Sequence, residues 1–153
     1  MTDRSAIHAS FCHERTYPVP PERVFAAFAD PETKSRWFQA PPGWVQTERT
    51  FEFAEGGVET DIGGPTPDEL HGFFCRYYDI VPNERIVYAY DMDTNGTHAS
   101  LSVTTIELEA VDGGTRLTHT EQGVFLDGIH DADGRAEGTG ILLDQLGAFL
   151  AGG

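Results

Sequence analysis

Positive charge is what this chain lacks most. Ten Lys and Arg stand against 25 Asp and Glu, a formal charge of −15 over 153 residues. A surface of that sign repels phosphate backbones and anionic headgroups, so neither a nucleic-acid nor a membrane partner is expected. Cysteine is scarce: Cys12 and Cys75 stand alone, with no C-x-x-C and no zinc spacing. Two reduced, partly buried thiols are therefore expected in place of a disulfide or a metal site. No run approaches the roughly 20 apolar residues needed to span a bilayer. The first twenty residues, with Asp3, Arg4, His8, His13 and Glu14, hold no continuous apolar stretch of the signal-peptide kind. A cytoplasmic setting is the expectation.

Catalytic signatures are missing too. There is no Walker loop, nucleophile elbow or dinucleotide fingerprint, and His8, His13, His71, His98, His119 and His130 form no H-E-x-x-H and no helical i, i+4 pair. No cofactor and no metal are expected. Asp131-x-Asp133-Gly134 is a fragment of a calcium loop without its first and twelfth acidic positions, and reads as a solvated loop.

What the chain does have is 39% apolar residues, enough for one domain over residues 1–153. Pro21 suits the first position of a helix that puts Val24, Phe25 and Phe28 on one face. Asp30-Pro31 ends it and starts a second, with Asp30 as cap and Trp37 and Phe38 at its close. Alternation broken by glycine then predicts an antiparallel meander. Its strands are Thr50–Ala54 with Phe51 and Phe53 on one face, Val58–Ile62, Leu70–Val81, Arg85–Met92, His98–Ala110 and Thr115–Gln122. Gly63 to Pro67 reads as a loop, Pro82-Asn83-Glu84 as a tight turn and Asp112-Gly113-Gly114 as a hairpin. Leu101 and Val103 share one parity and Ile106 and Leu108 the other, which predicts a bulge near Thr104-Thr105. From about Asp133 to Leu150 the pattern is helical, with Leu142, Leu146, Phe149 and Leu150 on a stripe and Ile141 beside it. Gly138, Gly140 and Gly147 there mean a late start or a backbone close to the sheet or a ligand. An α+β helix-grip follows, a curved antiparallel sheet around a long C-terminal helix, with two short helices after the first strand. Where the curl keeps the layers apart, a pocket is expected.

Four stretches in order carry a family resemblance: Val19-Pro-Pro-Glu-Arg-Val-Phe25, Asp79-Ile-Val-Pro-Asn-Glu-Arg-Ile-Val-Tyr-Ala-Tyr90, Gly113-Gly-Thr-Arg-Leu-Thr118 and Glu137-Gly-Thr-Gly-Ile-Leu-Leu-Asp-Gln-Leu146. Over about residues 10 to 150 the chain resembles the SRPBCC (START-like, Bet v 1-like) superfamily, and more closely the branch of the activator of Hsp90 ATPase C-terminal domain. The resemblance implies about seven strands around the helix and a hydrophobic cavity between them; fold alone does not fix chemistry. His119 departs from a position commonly apolar in the branch, Glu121 from one often histidine, and Thr139 from one often tryptophan. The last departure implies a wider cavity.

The candidate ligand-binding residues are Trp37, Phe38, Trp44, Phe51, Phe53, Phe74, Tyr78, Tyr88, Tyr90, His119, Glu121 and Leu142. Tyr88 and Tyr90 alternate with Ala89, so their hydroxyls share a side, as do His119 and Glu121 on their strand. The leading reading is a domain that binds a small, mostly hydrophobic molecule and is not a standard enzyme. A second is a polyketide cyclase, dehydratase or hydrolase with His119 and Glu121 moving protons; a third is an Hsp90-related, stress-response interaction module with a chaperone partner. A homodimer through exposed Leu101 or Val103 is expected.

Overall fold

Two prolines and one aspartate shape the N-terminal region. In the computed structural model, which describes residues 4–152, strand β1 (Ala6–Tyr17) leads into α1 (Pro21–Ala29), with Pro21 in its first turn. Asp30 ends α1 and caps α2 (Pro31–Trp37): its carboxylate accepts from the Thr33 hydroxyl at 2.6 Å and the Thr33 backbone N–H at 3.0 Å. These bonds satisfy an orphaned helix donor and hold the carboxyl below its usual range, the hydroxyl contributing most. Val24, Ala27 and Phe28 are buried, and the Trp37 indole N–H donates to the Ala27 carbonyl at 2.8 Å, which welds the two helices into one corner.

Six more strands follow: β2 (Val45–Phe51), β3 (Val58–Thr66), β4 (Glu69–Val81), β5 (Arg85–Thr94), β6 (Thr97–Val111) and β7 (Gly114–Leu126). With β1 they make one antiparallel sheet in the order β1-β7-β6-β5-β4-β3-β2, and α3 (Ala132–Gly152) completes an α+β helix-grip. The turns sit where the chain reaches positive φ: Asn83, Asn95 with Gly96, and Gly113. No helix among the described residues is long and apolar enough to cross a membrane.

Several expectations need correcting. The strand expected at Thr50–Ala54 is β2, which begins at Val45 and stops at Phe51, so Phe53 lies beyond its end. Gly63 to Pro67 is not a loop, because β3 runs through it to Thr66 with a register irregularity between Gly63 and Thr66. A Cβ on Gly64 would collide with the Glu69 carbonyl oxygen, so glycine there permits a close backbone approach. No bulge forms at Thr104-Thr105: β6 pairs with β7 without a break, and its irregularity with β5 falls at Met92/Asp93. Ser100, Ser102, Thr104, Ile106 and Leu108 all point inward on one parity, while Leu101 and Val103 are exposed on the other. In α3 the buried positions are Gly140, Leu143, Leu146 and Leu150, with Leu142 and Phe149 half-buried and Ile141 exposed. Asp133 and Gly134 belong to its first turn, and the Asp131 carboxylate caps it by accepting from the Gly134 N–H at 2.6 Å. Both cysteines are free, but Cys12 is exposed and only Cys75 is buried.

Alternate residues of β1 tether α3. His13 Nε2 lies 2.8 Å from the Ala136 carbonyl oxygen, the Arg15 guanidinium 2.8 Å from the Asp144 carboxylate, and the Tyr17 hydroxyl donates to the Leu143 carbonyl at 2.8 Å. Gly140 and Gly147 face this row; added methyls would stand 3.4 Å from Arg15 and 3.1 Å from the Tyr17 ring. Two of the three glycines suspected in the sequence, Gly140 and Gly147, therefore bring α3 close to β1 at one edge of the sheet, whereas a Cβ on Gly138 would meet nothing within 4 Å.

The helix corner and the β3 irregularity give a stability test. Asp30→Ala should lower the midpoint of urea unfolding through loss of the cap. Gly64→Ala, which sets a side chain against backbone, should lower it further; equal, negligible losses would contradict this account.

Candidate functional site

With α3 held against β1, the inner face of the central strands is left partly uncovered. A space of about 610 Å³ lies there, between α3, the α2–β2 connection and β3 to β7. Aromatic rings dominate its walls. Its exposed members, among them Gln39, Pro41 and Pro42 of the connection and Gly138 and Ile141 of α3, mark the mouth. At that mouth Trp44 stacks on His71, with centroids 5.4 Å apart.

Of the residues singled out in the sequence, Trp37, Phe38, Trp44, Phe53, Tyr88, Tyr90, His119, Glu121 and Leu142 line this space, as do Gly138 and Thr139. Phe51, Phe74 and Tyr78 do not. On β4, Phe73 and Tyr77 point inward with Cys75, so Phe74 and Tyr78 take the outer face, where Tyr78 is 78% exposed. Phe51 sits behind the wall, packed on Tyr77 at 6.3 Å.

Sequence reasoning missed one buried polar cluster whole, and of a second it named as site residues only Tyr90 and Glu121, not Arg135, Ser100 or Thr104. In the first, the Glu59 carboxylate accepts from the Lys34 amine at 2.7 Å, the Tyr77 hydroxyl at 2.5 Å and the Arg49 guanidinium at 2.7 Å. Lys34 Nζ also lies 4.6 and 4.9 Å from the Phe38 and Phe51 ring centroids. Burial pushes the Glu59 carboxyl up, but Lys34, Tyr77 and Arg49 together hold it below the usual carboxylate range. Burial likewise lowers Lys34 against the pull of Glu59, and raises the Tyr77 hydroxyl, with Glu59 adding to it. Burial, with Glu59 adding, pushes the neighbouring Cys75 thiol up to about 12. Charged residues on an inner parity defy the hydrophobic pattern, and nothing in one sequence flags Lys34 or Glu59 as partners.

The second cluster surrounds Glu121, which accepts from the Tyr90 hydroxyl at 2.5 Å and from Thr104 at 3.3 Å. Arg135, from the first turns of α3, reaches in to within 3.6 Å of Glu121. It donates to Tyr90 at 3.1 Å and Ser100 at 2.8 Å, and its guanidinium lies 5.2 Å from the Phe125 ring centroid. His130 Nδ1, 3.3 Å away, completes the arrangement. Glu121 and His119 share a face of β7 yet do not bond. His119 stacks on Phe11, with centroids 6.3 Å apart, and its Nδ1 is buried without a hydrogen-bond partner. Burial, and secondarily His13, push its pKa down to about 4, against the opposing effect of its own backbone. The ring is therefore neutral at physiological pH.

Two measurements test this picture. Glu59→Ala should destabilise the fold by about 3 kcal/mol or more, because Lys34 is left buried without its counter-charge. Combining Glu59→Leu with Lys34→Met and Tyr77→Phe, so that neither buried donor is left unpaired, should recover most of that loss in urea unfolding; equal losses would contradict the ion-pair account. For His119, the unfolded chain takes up a proton near 6.5 and the folded one only near 4. Its stabilising contribution is thus complete above about 6.5 and declines as the pH falls towards about 4. Over that interval His119→Phe should flatten the stability profile, by up to about 3 kcal/mol.

Comparison with known proteins fits this architecture. A solved structure of a putative uncharacterised protein from Rhizobium leguminosarum superposes with a TM-score of 0.93 at 43% identity, covering 99% of this chain and 100% of that one. A Rhizobium loti protein gives 0.88 at 44% identity, over 95% and 99%. A Chromobacterium violaceum protein gives 0.78 at 27%, over 92% and 96%. No curated protein matches the chain. The family described as Activator of Hsp90 ATPase homolog 1-like protein matches residues 18–151, and the chain, a START-like domain, belongs to that family.

Proposed function

We propose that the protein binds a small, mostly apolar molecule in the space between α3 and the sheet, and that its role is to hold this molecule and not to transform it. The observation that carries this reading is the space itself. At about 610 Å³ it falls within the ~300–1,000 Å³ of small-molecule pockets, and rings from α2, β4 and β5 dominate its lining. Turnover has less support. The Glu121 carboxylate is already engaged by Tyr90, Thr104 and Arg135, so it is a poor free base. His119 has no partner to orient it and no neighbouring nucleophile in hydrogen-bond contact. Two free thiols, one exposed, agree with a reducing, cytoplasmic setting.

An uncharged fluorescent probe such as Nile red tests the reading. Saturable binding with one site per chain is expected. Thr139→Trp, which sets an indole into the lined space, should weaken it by about tenfold or more while the far-UV spectrum and melting transition are kept. Binding that never saturates, or that is unchanged in Thr139→Trp, would contradict the proposal.

A further inference from the structure

The fully buried charged groups of this cavity are already matched, and its buried unmatched polar groups are neutral. Lys34 is taken up by Glu59, Tyr77 and two ring faces. Arg135 is taken up by Tyr90, Ser100 and the ring of Phe125, with Glu121 beside it. Glu59 and Glu121 each accept from several of these donors. The remaining carboxylate on the lining, Asp61, is half-buried and accepts from Gln46 at 2.9 Å.

Among the uncommitted neutral groups of the lining, three stand out. Buried side-chain polar atoms without a partner among the described residues are His119 Nδ1, Gln145 Oε1 and Ser102 Oγ, and the first two belong to residues that line the cavity. His119 is only 5% exposed. The third group is the hydroxyl of Tyr88, a lining residue that no hydrogen bond among the described residues engages. Burial raises this hydroxyl well above its usual range, so it stays protonated. Buried groups left without partners are costly, and a bound molecule that pairs with them removes that cost. A charged ligand would lose its hydration without meeting a free counter-charge in the buried part of the cavity, since Asp61 is half-exposed and screened by water. An anion would also meet Asp61 and the −15 charge of the chain.

We infer that the cavity selects an uncharged aromatic molecule bearing a hydroxyl, paired with His119, Gln145 and Tyr88, and discriminates against ionised relatives of the same shape. The inference rests on the binding role proposed above. A hydroxyl suits the set because it donates its one proton to the Gln145 amide oxygen and accepts from the Tyr88 O–H and from His119 in its Nδ1–H tautomer. The fused rings supply the apolar body that the aromatic walls receive.

Four probes that share one naphthalene ring test it by calorimetry at about pH 7: 2-naphthol, naphthalene, 2-naphthoate and naphthalen-2-ylmethylammonium. 2-Naphthol should bind about tenfold tighter than each of the others, the increment of one hydrogen bond to an orphaned group. His119→Phe and Gln145→Leu should each narrow the ratio of 2-naphthol to naphthalene affinity, measured on the same variant, by several-fold. The two changes lie on different elements, β7 and α3, so loss of folding in one leaves the other to decide. If either ion binds as tightly as 2-naphthol, or both variants keep the preference, the assignment is overturned and the binding role stands. If none of the four binds, both are overturned.

Discussion

The attachment of α3 along β1 governs the rest of this molecule. His13, Arg15 and Tyr17 reach the helix through a carbonyl, a carboxylate and a second carbonyl, and Gly140 and Gly147 let it come close enough to be reached. A helix fixed at one edge of a seven-stranded sheet cannot also press on the central strands. The inner side chains of β3 to β7 are then covered by α1, α2 and the α2–β2 connection, and only partly. The cavity is a geometric result of where the helix is anchored, more than of any residue that keeps it open.

The polar groups inside follow from that incomplete closure. A solid core would exclude Glu59, Glu121, Lys34 and Arg135, since charge in an apolar interior costs several kcal/mol per ion unless it is paired. Here each carboxylate is shared between a cation and a tyrosine, one cluster tying α2 to β2, β3 and β4, the other tying α3 to β5, β6 and β7. These ties brace the walls from both sides. Neutral His119 lies on the same wall and takes part in neither.

Much of the fold was legible because it is encoded locally. Pro21, Asp30 and Pro31 mark the helix corner through φ, capping and a missing N–H, and glycine or asparagine marks the turns through positive φ. Parity on β5 and β7 set Tyr88 with Tyr90 and His119 with Glu121 on shared faces, and the family resemblance supplied the inward direction. What was illegible depends on tertiary context. Val58 and Ile62 suggest the wrong inner parity for β3, where Glu59 and Asp61 face the cavity because Lys34 and Arg49 wait for Glu59. Leu101 and Val103 suggested a bulge because exposed apolar residues on an outer sheet face look like core ones. Phe74 and Tyr78 were candidates for the same reason.

The two thiols differ in a way that bears on covalent chemistry. Cys12 lies on the outer parity of β1, exposed, whereas Cys75 is buried on β4 with its thiol pushed up to about 12. Three strands separate β1 from β4, so the pair stand about 19 Å apart at the usual interstrand spacing. A disulfide needs Cα atoms within about 7 Å. Oxidation of the native protein would therefore join two copies through Cys12 and never staple one copy to itself, and an alkylating label would settle on a single position that looks away from the cavity.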